Sequence, residues 1–265
     1  MLTKLMKYEN RYLARTLAPL YLAVVMVSGL DRLSIMFLTD GSKFASIISG
    51  LLIFLNVIGI IAIAACTLIL IIVRFYKNLL GDEGYLMNTL PVSTNQLILS
   101  KVLASLLWVI ASMIVCGFSI FLLLVKQDFM VQVSQVWQQF WISFRAYAPG
   151  TNGVMLIIGY IALFLLGICS NILLLYTAAS MGQTLIKTHR VLGGFVSYLI
   201  ITSILQVFSM VMAFSIPTPV FFRSYSTPLA SMNAFLFWML LFVAILIAVF
   251  WALTHFFMAK KLNLE

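Results

Sequence analysis

Charge is what this sequence has least of. Only 9% of its 265 residues are Asp, Glu, Lys or Arg, against about 25% in an ordinary soluble domain, and 63% are hydrophobic. Acidic residues number just seven. A large soluble domain is therefore excluded, and with it a receptor ectodomain or an extended nucleic-acid-binding module. Cysteine is scarce too: Cys66, Cys116 and Cys169 lie in three different apolar runs, without metal-ligand spacing, so neither a disulfide framework nor a zinc site is indicated. None of the fourteen glycines falls in a Gly-x-x-x-x-Gly-Lys-Ser/Thr loop, so this chain has no phosphate cradle of that type. The apolar runs also lack facing Asp residues or a His/Glu cluster, the minimum an intramembrane enzyme would need. No internal repeat is evident, nor any pair of interrupted helices of the kind secondary transporters use.

Long apolar runs are what the sequence has instead. A membrane helix takes about 20 residues, and six runs of sufficient length lie near residues 16 to 37, 46 to 73, 97 to 125, 153 to 180, 191 to 215 and 232 to 258. The reading is an all-α integral membrane protein with six transmembrane helices. Six crossings put both termini on one side. The connections on the opposite side hold five basic residues, Arg32, Lys43, Lys126, Arg145 and Arg223, whereas the terminal side holds eleven, among them Lys4, Lys7, Arg11, Arg15, Arg74, Lys77 and Lys101. The positive-inside bias places both termini in the cytoplasm of a multi-pass cell-membrane protein. The net charge of +9 is then a leaflet signal, and no nucleic-acid partner is expected. The first residues are charged before any long apolar run and no small-residue cleavage site follows, so no removable signal peptide is expected.

Two segments beside the spans are amphipathic. Within residues 1 to 15, Lys4, Lys7, Arg11 and Arg15 share a helical arc of about 80°, opposite Leu2, Leu5, Met6, Tyr12 and Leu13, which predicts an interfacial helix lying on anionic headgroups. Glu9 falls about 140° from Lys4, among the apolar residues. A bare carboxylate there is costly, so Glu9 either pairs with a basic group of a cytoplasmic loop or of a partner subunit, or escapes to water. Within residues 126 to 152, on the extracellular side, Met130, Val133, Trp137, Phe140, Trp141 and Phe144 recur at helical spacing. That is a second surface helix, an aromatic belt element, an outer gate or part of a dimer contact. Asp31 and Arg32 are expected to snorkel from the outer end of the first span. The loop from Ser215 to Ser231, with Pro217, Pro219 and Pro228, cannot be a continuous helix.

The cytoplasmic loop 74 to 96 carries the most information. Gly81, Gly84 and Pro91 divide it into short apolar pieces, and Ser93 with Gln96 reads as a capping box that opens the third span. A short crosswise helix is expected, with Tyr85, Leu86 and Leu90 exposed beside Asp82 and Glu83 and suited to docking a cytoplasmic partner. Inside the spans, Asn56, Asn171 and Gln206 each need a hydrogen-bond partner, either a neighbouring helix or a cargo. The spans offer Phe, Met and Leu rather than rings of charge, which suits a hydrophobic or amphiphilic cargo better than ions or sugars.

The order of an acidic residue, Gly84, an apolar segment, Leu90, Pro91, Val92 and Ser93, then Gln96 to Leu99 and Lys101, resembles the first cytoplasmic loop of ABC-2 type transporter permeases. The start from Lys4 to Glu9 is similar to the N-terminal helix of small permeases in this family. The commoner family pattern has Gly-Thr after the Glu and two more residues before the Pro, where this chain has Gly84 and Tyr85 and a shorter stretch. The resemblance implies the membrane subunit of an ABC exporter. Such a subunit is no enzyme itself. It works with two copies of an ABC ATP-binding subunit, which hold the ATP and Mg, and with a second permease chain, identical or homologous. It also implies a coupling helix between spans two and three, with Asp82, Glu83, Gly84, Tyr85 and Leu86 at the joint and Pro91 and Ser93 fixing its angle. Around Gln183 to Arg190 a lesser contact is implied. A non-transporting membrane scaffold or sensor subunit is the competing expectation.

Overall fold

The computed structural model describes residues 2–37, 43–80, 93–124, 127–148, 151–185, 190–215 and 228–260. Its helices are α1 (Leu2–Phe37), α2 (Lys43–Phe75), α3 (Thr94–Leu124), α4 (Gln127–Tyr147), α5 (Thr151–Leu185), α6 (Arg190–Ser215) and α7 (Pro228–Lys260), with a π-helical turn Tyr76–Leu80 continuing α2. Among the described residues six of these, all but α4, are long and apolar enough to cross a membrane. The protein is a multi-pass membrane protein built of helices. Ser93 stands directly before α3, the N-cap position that its spacing to Gln96 predicts.

No break separates residues 1–15 from the first span. α1 runs for 36 residues, through Pro19, so the expected interfacial helix and the first span are one element. The physical cause lies on one stripe of α1: Glu9, Leu13, Leu17, Val24, Ser28 and Asp31, three, four or seven residues apart, are all buried. Lys4, Lys7, Arg11 and Arg15 keep the opposite face and are exposed. Glu9, Leu13 and Leu17, buried in succession, hold this segment in line with the span.

The chain divides into two compact units, Met1–Arg74 with Gln96–Val136, and Phe75–Asn95 with Trp137–Glu265. In the first, α1 and α3 run parallel. Tyr21 meets Ser112 at 2.6 Å and Ser28 meets Ser119 at 2.6 Å, and both pairs are 91 residues apart in the chain. Ser105, Ser112 and Ser119 are all buried on α3 at a spacing of seven, the period of helices that cross at a shallow angle. Helix α2 packs antiparallel to α1, so closely at Gly59 that a Cβ there would sit 2.8 Å from Val24 Cγ2.

In the second unit α5 is central. Thr177 bonds Thr254 across 77 positions at 2.9 Å, and Gly159 lies against Leu236, also 77 positions on, so α5 and α7 are parallel and in constant register. Helix α6 returns antiparallel, and Gly182 brings its backbone against Gly193 and Gly194. Phe75 stacks on Tyr176 with ring centroids 4.0 Å apart. Leu156 and Leu236 form a core with Ala148 against which Phe144 packs, anchoring the C-terminal end of α4. Along α4, Trp137, Phe140, Trp141 and Phe144 make a continuous run of ring contacts at 5.7 to 6.2 Å.

Candidate functional site

Glu9 is the centre of the best-defined polar site. Arg74 Nε donates to Glu9 Oε2 at 3.0 Å and Lys101 Nζ donates to Oε1 at 2.5 Å. The site is inside protein: Glu9 and Lys101 are each 4% exposed. Burial of an ion in so apolar a setting is tolerated only when its charge and lone pairs are met, and here two cations meet one carboxylate. The Arg74 guanidinium also lies 4.1 Å over the Tyr12 ring, a cation–π contact at the edge of the site. Beside Glu9, Asn10 Oδ1 accepts from Trp108 Nε1, two turns beyond Lys101 on α3, at 3.3 Å.

The three helices joined here arrive by different routes. Arg74 is in the last turn of α2, and Lys101 and Glu9 are each the eighth residue of their helices, α3 and α1. The first two therefore flank the connection 76 to 93. In the next residue, Phe75, the chain passes to the second unit and to the stack with Tyr176. Consecutive residues at the start of the connection are thus fastened in different units.

Asp82, Glu83, Gly84, Tyr85, Leu86 and Pro91 lie outside the described residues, as does most of the loop from Ser215 to Ser231. Ser93 is described and exposed. Gln183 is half-buried near the end of α5.

The three membrane amides separate sharply. Asn56 is fully buried and bridges three helices: its Nδ2 donates to Ser28 Oγ on α1, and its Oδ1 accepts from Ser119 Oγ on α3 at 2.9 Å. Asn171, by contrast, is exposed and donates to the Gly167 carbonyl of its own helix at 2.8 Å. Gln206 is exposed as well. Neither side chain bonds a neighbouring helix among the described residues. The reason is rotation: each sits on a face of α5 or α6 that points away from the helices packed on it.

Asp31 differs from its expected place too. It does not snorkel, because it lies on the buried stripe of α1 and has no exposed surface.

The hydroxyl contacts had no counterpart in the sequence reading. Thr67 Oγ1 reaches Ser112 Oγ at 2.8 Å, which ties α2 into the Tyr21–Ser112 pair. Thr254 and Thr177 hydroxyls also share the Phe250 carbonyl. The seven-residue spacing of Ser105, Ser112 and Ser119 was the available signal. Among the described residues no group of three or more His, Cys, Asp or Glu is placed to hold a metal ion.

In comparisons with known proteins, no family model, no curated protein and no solved structure matches the chain.

Proposed function

We propose that the chain is the membrane-spanning permease subunit of an ATP-driven ABC exporter. It pairs with a second permease chain and takes its motion from two copies of a separate ATP-binding subunit, which hold the ATP and Mg. Its cargo is hydrophobic or amphiphilic. Both termini and the connection 74 to 96 face the cytoplasm, on the charge asymmetry of the sequence.

The observation that carries this reading is Glu9 held by Arg74 and Lys101. A docking segment can move spans only if the helices it joins respond together. Arg74 and Lys101 stand at the two ends of the connection, and one carboxylate binds both to α1. Displacement of the segment by a closing nucleotide-binding partner would then tilt α1, α2 and α3 as a group. The stack of Phe75 on Tyr176 gives the second unit its own hold on the same connection. In this scheme Asp82, Glu83, Tyr85 and Leu86 contact the ATPase, and Gly84 and Pro91 set the turns on either side. Asn171 and Gln206, exposed amides in apolar helices, are the candidate cargo contacts, and Asn56 is a structural one.

Purification of the full chain from its native membrane tests the assignment. An ATP-binding subunit should accompany it, and the reconstituted complex should move an amphiphile across vesicles with ATP consumed. Glu83→Lys should leave the chain inserted while ATP hydrolysis no longer drives transport. Labelling of residues 82 to 91 from the extracellular side in intact cells, or unaltered coupling in Glu83→Lys, would refute it.

A further inference from the structure

Asp31 is the one described acidic group of the spans that the scheme above does not use. It has no exposed surface, and neither carboxyl oxygen has a hydrogen-bond partner among the described residues. It follows Ser28 by one turn on the buried stripe of α1, and Ser28 is where α1 meets Asn56 of α2 and Ser119 of α3. An unpaired carboxylate in such a place costs several kcal/mol or more, so its charge must be cancelled.

No described side chain is placed to do so. Residues 47–62 of α2 contain no ionisable group, and residues 112–124 of α3 contain only Cys116. Arg32 adjoins Asp31 on α1 but points about 100° round the helix, and adjacent helical residues do not face one another. Asp40, Lys43, Lys126 and Asp128 have side chains outside the described ones.

A metal ion needs several ligands, and among the described residues no group of three or more His, Cys, Asp or Glu is placed to supply them. Ser28, Ser119 and Asn56 are instead bound to one another. A proton needs only the carboxyl itself.

We propose that Asp31 is a proton-binding site, neutral when α1, α2 and α3 are packed together and charged only when that end of the bundle opens to water. Binding takes one proton from water to form one O–H bond and removes one negative charge, and release reverses both changes. From Glu9 to Asp31 is 22 residues, about 33 Å along a helix, close to the roughly 30 Å hydrocarbon thickness. The site therefore exchanges with the side of the membrane opposite the Glu9 cluster. None of this depends on an ATP-binding partner.

Infrared spectroscopy of the full chain in lipid bilayers, with aspartate labelled at the carboxyl carbon by 13C, provides the test. At neutral pH a protonated-carboxyl stretch that shifts with the label is expected, and Asp31→Asn should lose it. A second variant, with Asp40, Asp82 and Asp128 all changed to Asn, leaves Asp31 as the sole aspartate and should keep the band even if Asp31→Asn fails to insert. Absence of the labelled band in the unaltered chain or in the triple variant overturns the proposal. So does its persistence in Asp31→Asn. Absence in the unaltered chain would mean that the carboxylate is held as an ion pair.

Discussion

Lys101 donates to Glu9 from 92 residues further along the chain, and the same carboxylate also accepts from Arg74. One acidic side chain out of seven thus fixes the ends of three helices.

Replacing Glu9 by Gln should therefore be among the most damaging single changes. It leaves buried Lys101 and half-buried Arg74 facing an amide, and loss of one partner from a buried ion pair costs about 3–5 kcal/mol. The unfolding midpoint of the purified chain in detergent should fall accordingly, whereas Lys4→Gln, on the exposed face, should leave it within about 0.5 kcal/mol. Equal midpoints for the two variants would remove the cluster from the stability of the bundle.

The hydroxyl pair Ser28 and Ser119 calls for a smaller number. Interhelical hydrogen bonds in membrane helices average about 0.6 kcal/mol, and a double-mutant cycle with Ser28→Ala and Ser119→Ala should give a coupling of that order. Asn56 bonds to both, so Asn56→Leu should exceed either single change.

Exposed amides predict the opposite. Asn171→Leu and Gln206→Leu remove no contact to a neighbouring helix among the described residues, and the unfolding midpoint of the isolated chain should move by no more than about 0.5 kcal/mol. If these residues meet cargo as proposed, cargo-stimulated ATP hydrolysis by the complex should drop in the same variants while basal hydrolysis persists.

Glycine substitutions separate two kinds of close approach. At Gly59 a methyl group would meet the end of the Val24 side chain, so Gly59→Ala should cost about 1–3 kcal/mol and Val24→Ala in the same chain should relieve part of it. At Gly182 the obstruction is the backbone of Gly193 and Gly194, which no side-chain change can clear. Gly182→Ala should stay destabilised in any such background, as read by the same unfolding midpoints.

How far the sequence could be read depended on what each residue's pattern encodes. Spans were legible because the cost of leaving a backbone unpaired in lipid makes a long apolar run a helix almost regardless of context. The amphipathic α4 was legible from Trp137, Phe140, Trp141 and Phe144 at helical spacing. Glu9 stood out as a carboxylate on an apolar face, but its partners come from positions 74 and 101, and no local pattern joins them. That contact also explains why α1 stays whole where an interfacial helix was expected: the face of residues 1 to 15 that looked suited to lipid includes the groups that bind protein. Asn56, Asn171 and Gln206 look alike in the sequence because each is a lone amide in an apolar run. Only the rotation of each helix about its axis decides which of them is buried, and weakly amphipathic spans do not reveal that rotation. Ser and Thr hydroxyls are harder still, since they also bond to their own helix carbonyls and so need no partner to be tolerated.

The constant interval of 77 between α5 and α7 limits how the second unit can work. A slip of one helix along the other by a single turn would carry Thr177 away from Thr254 and drive Leu236 off the flat surface left by Gly159, two losses nearly the full length of the span apart. The pair can lean or swing as a single rod, but it cannot telescope.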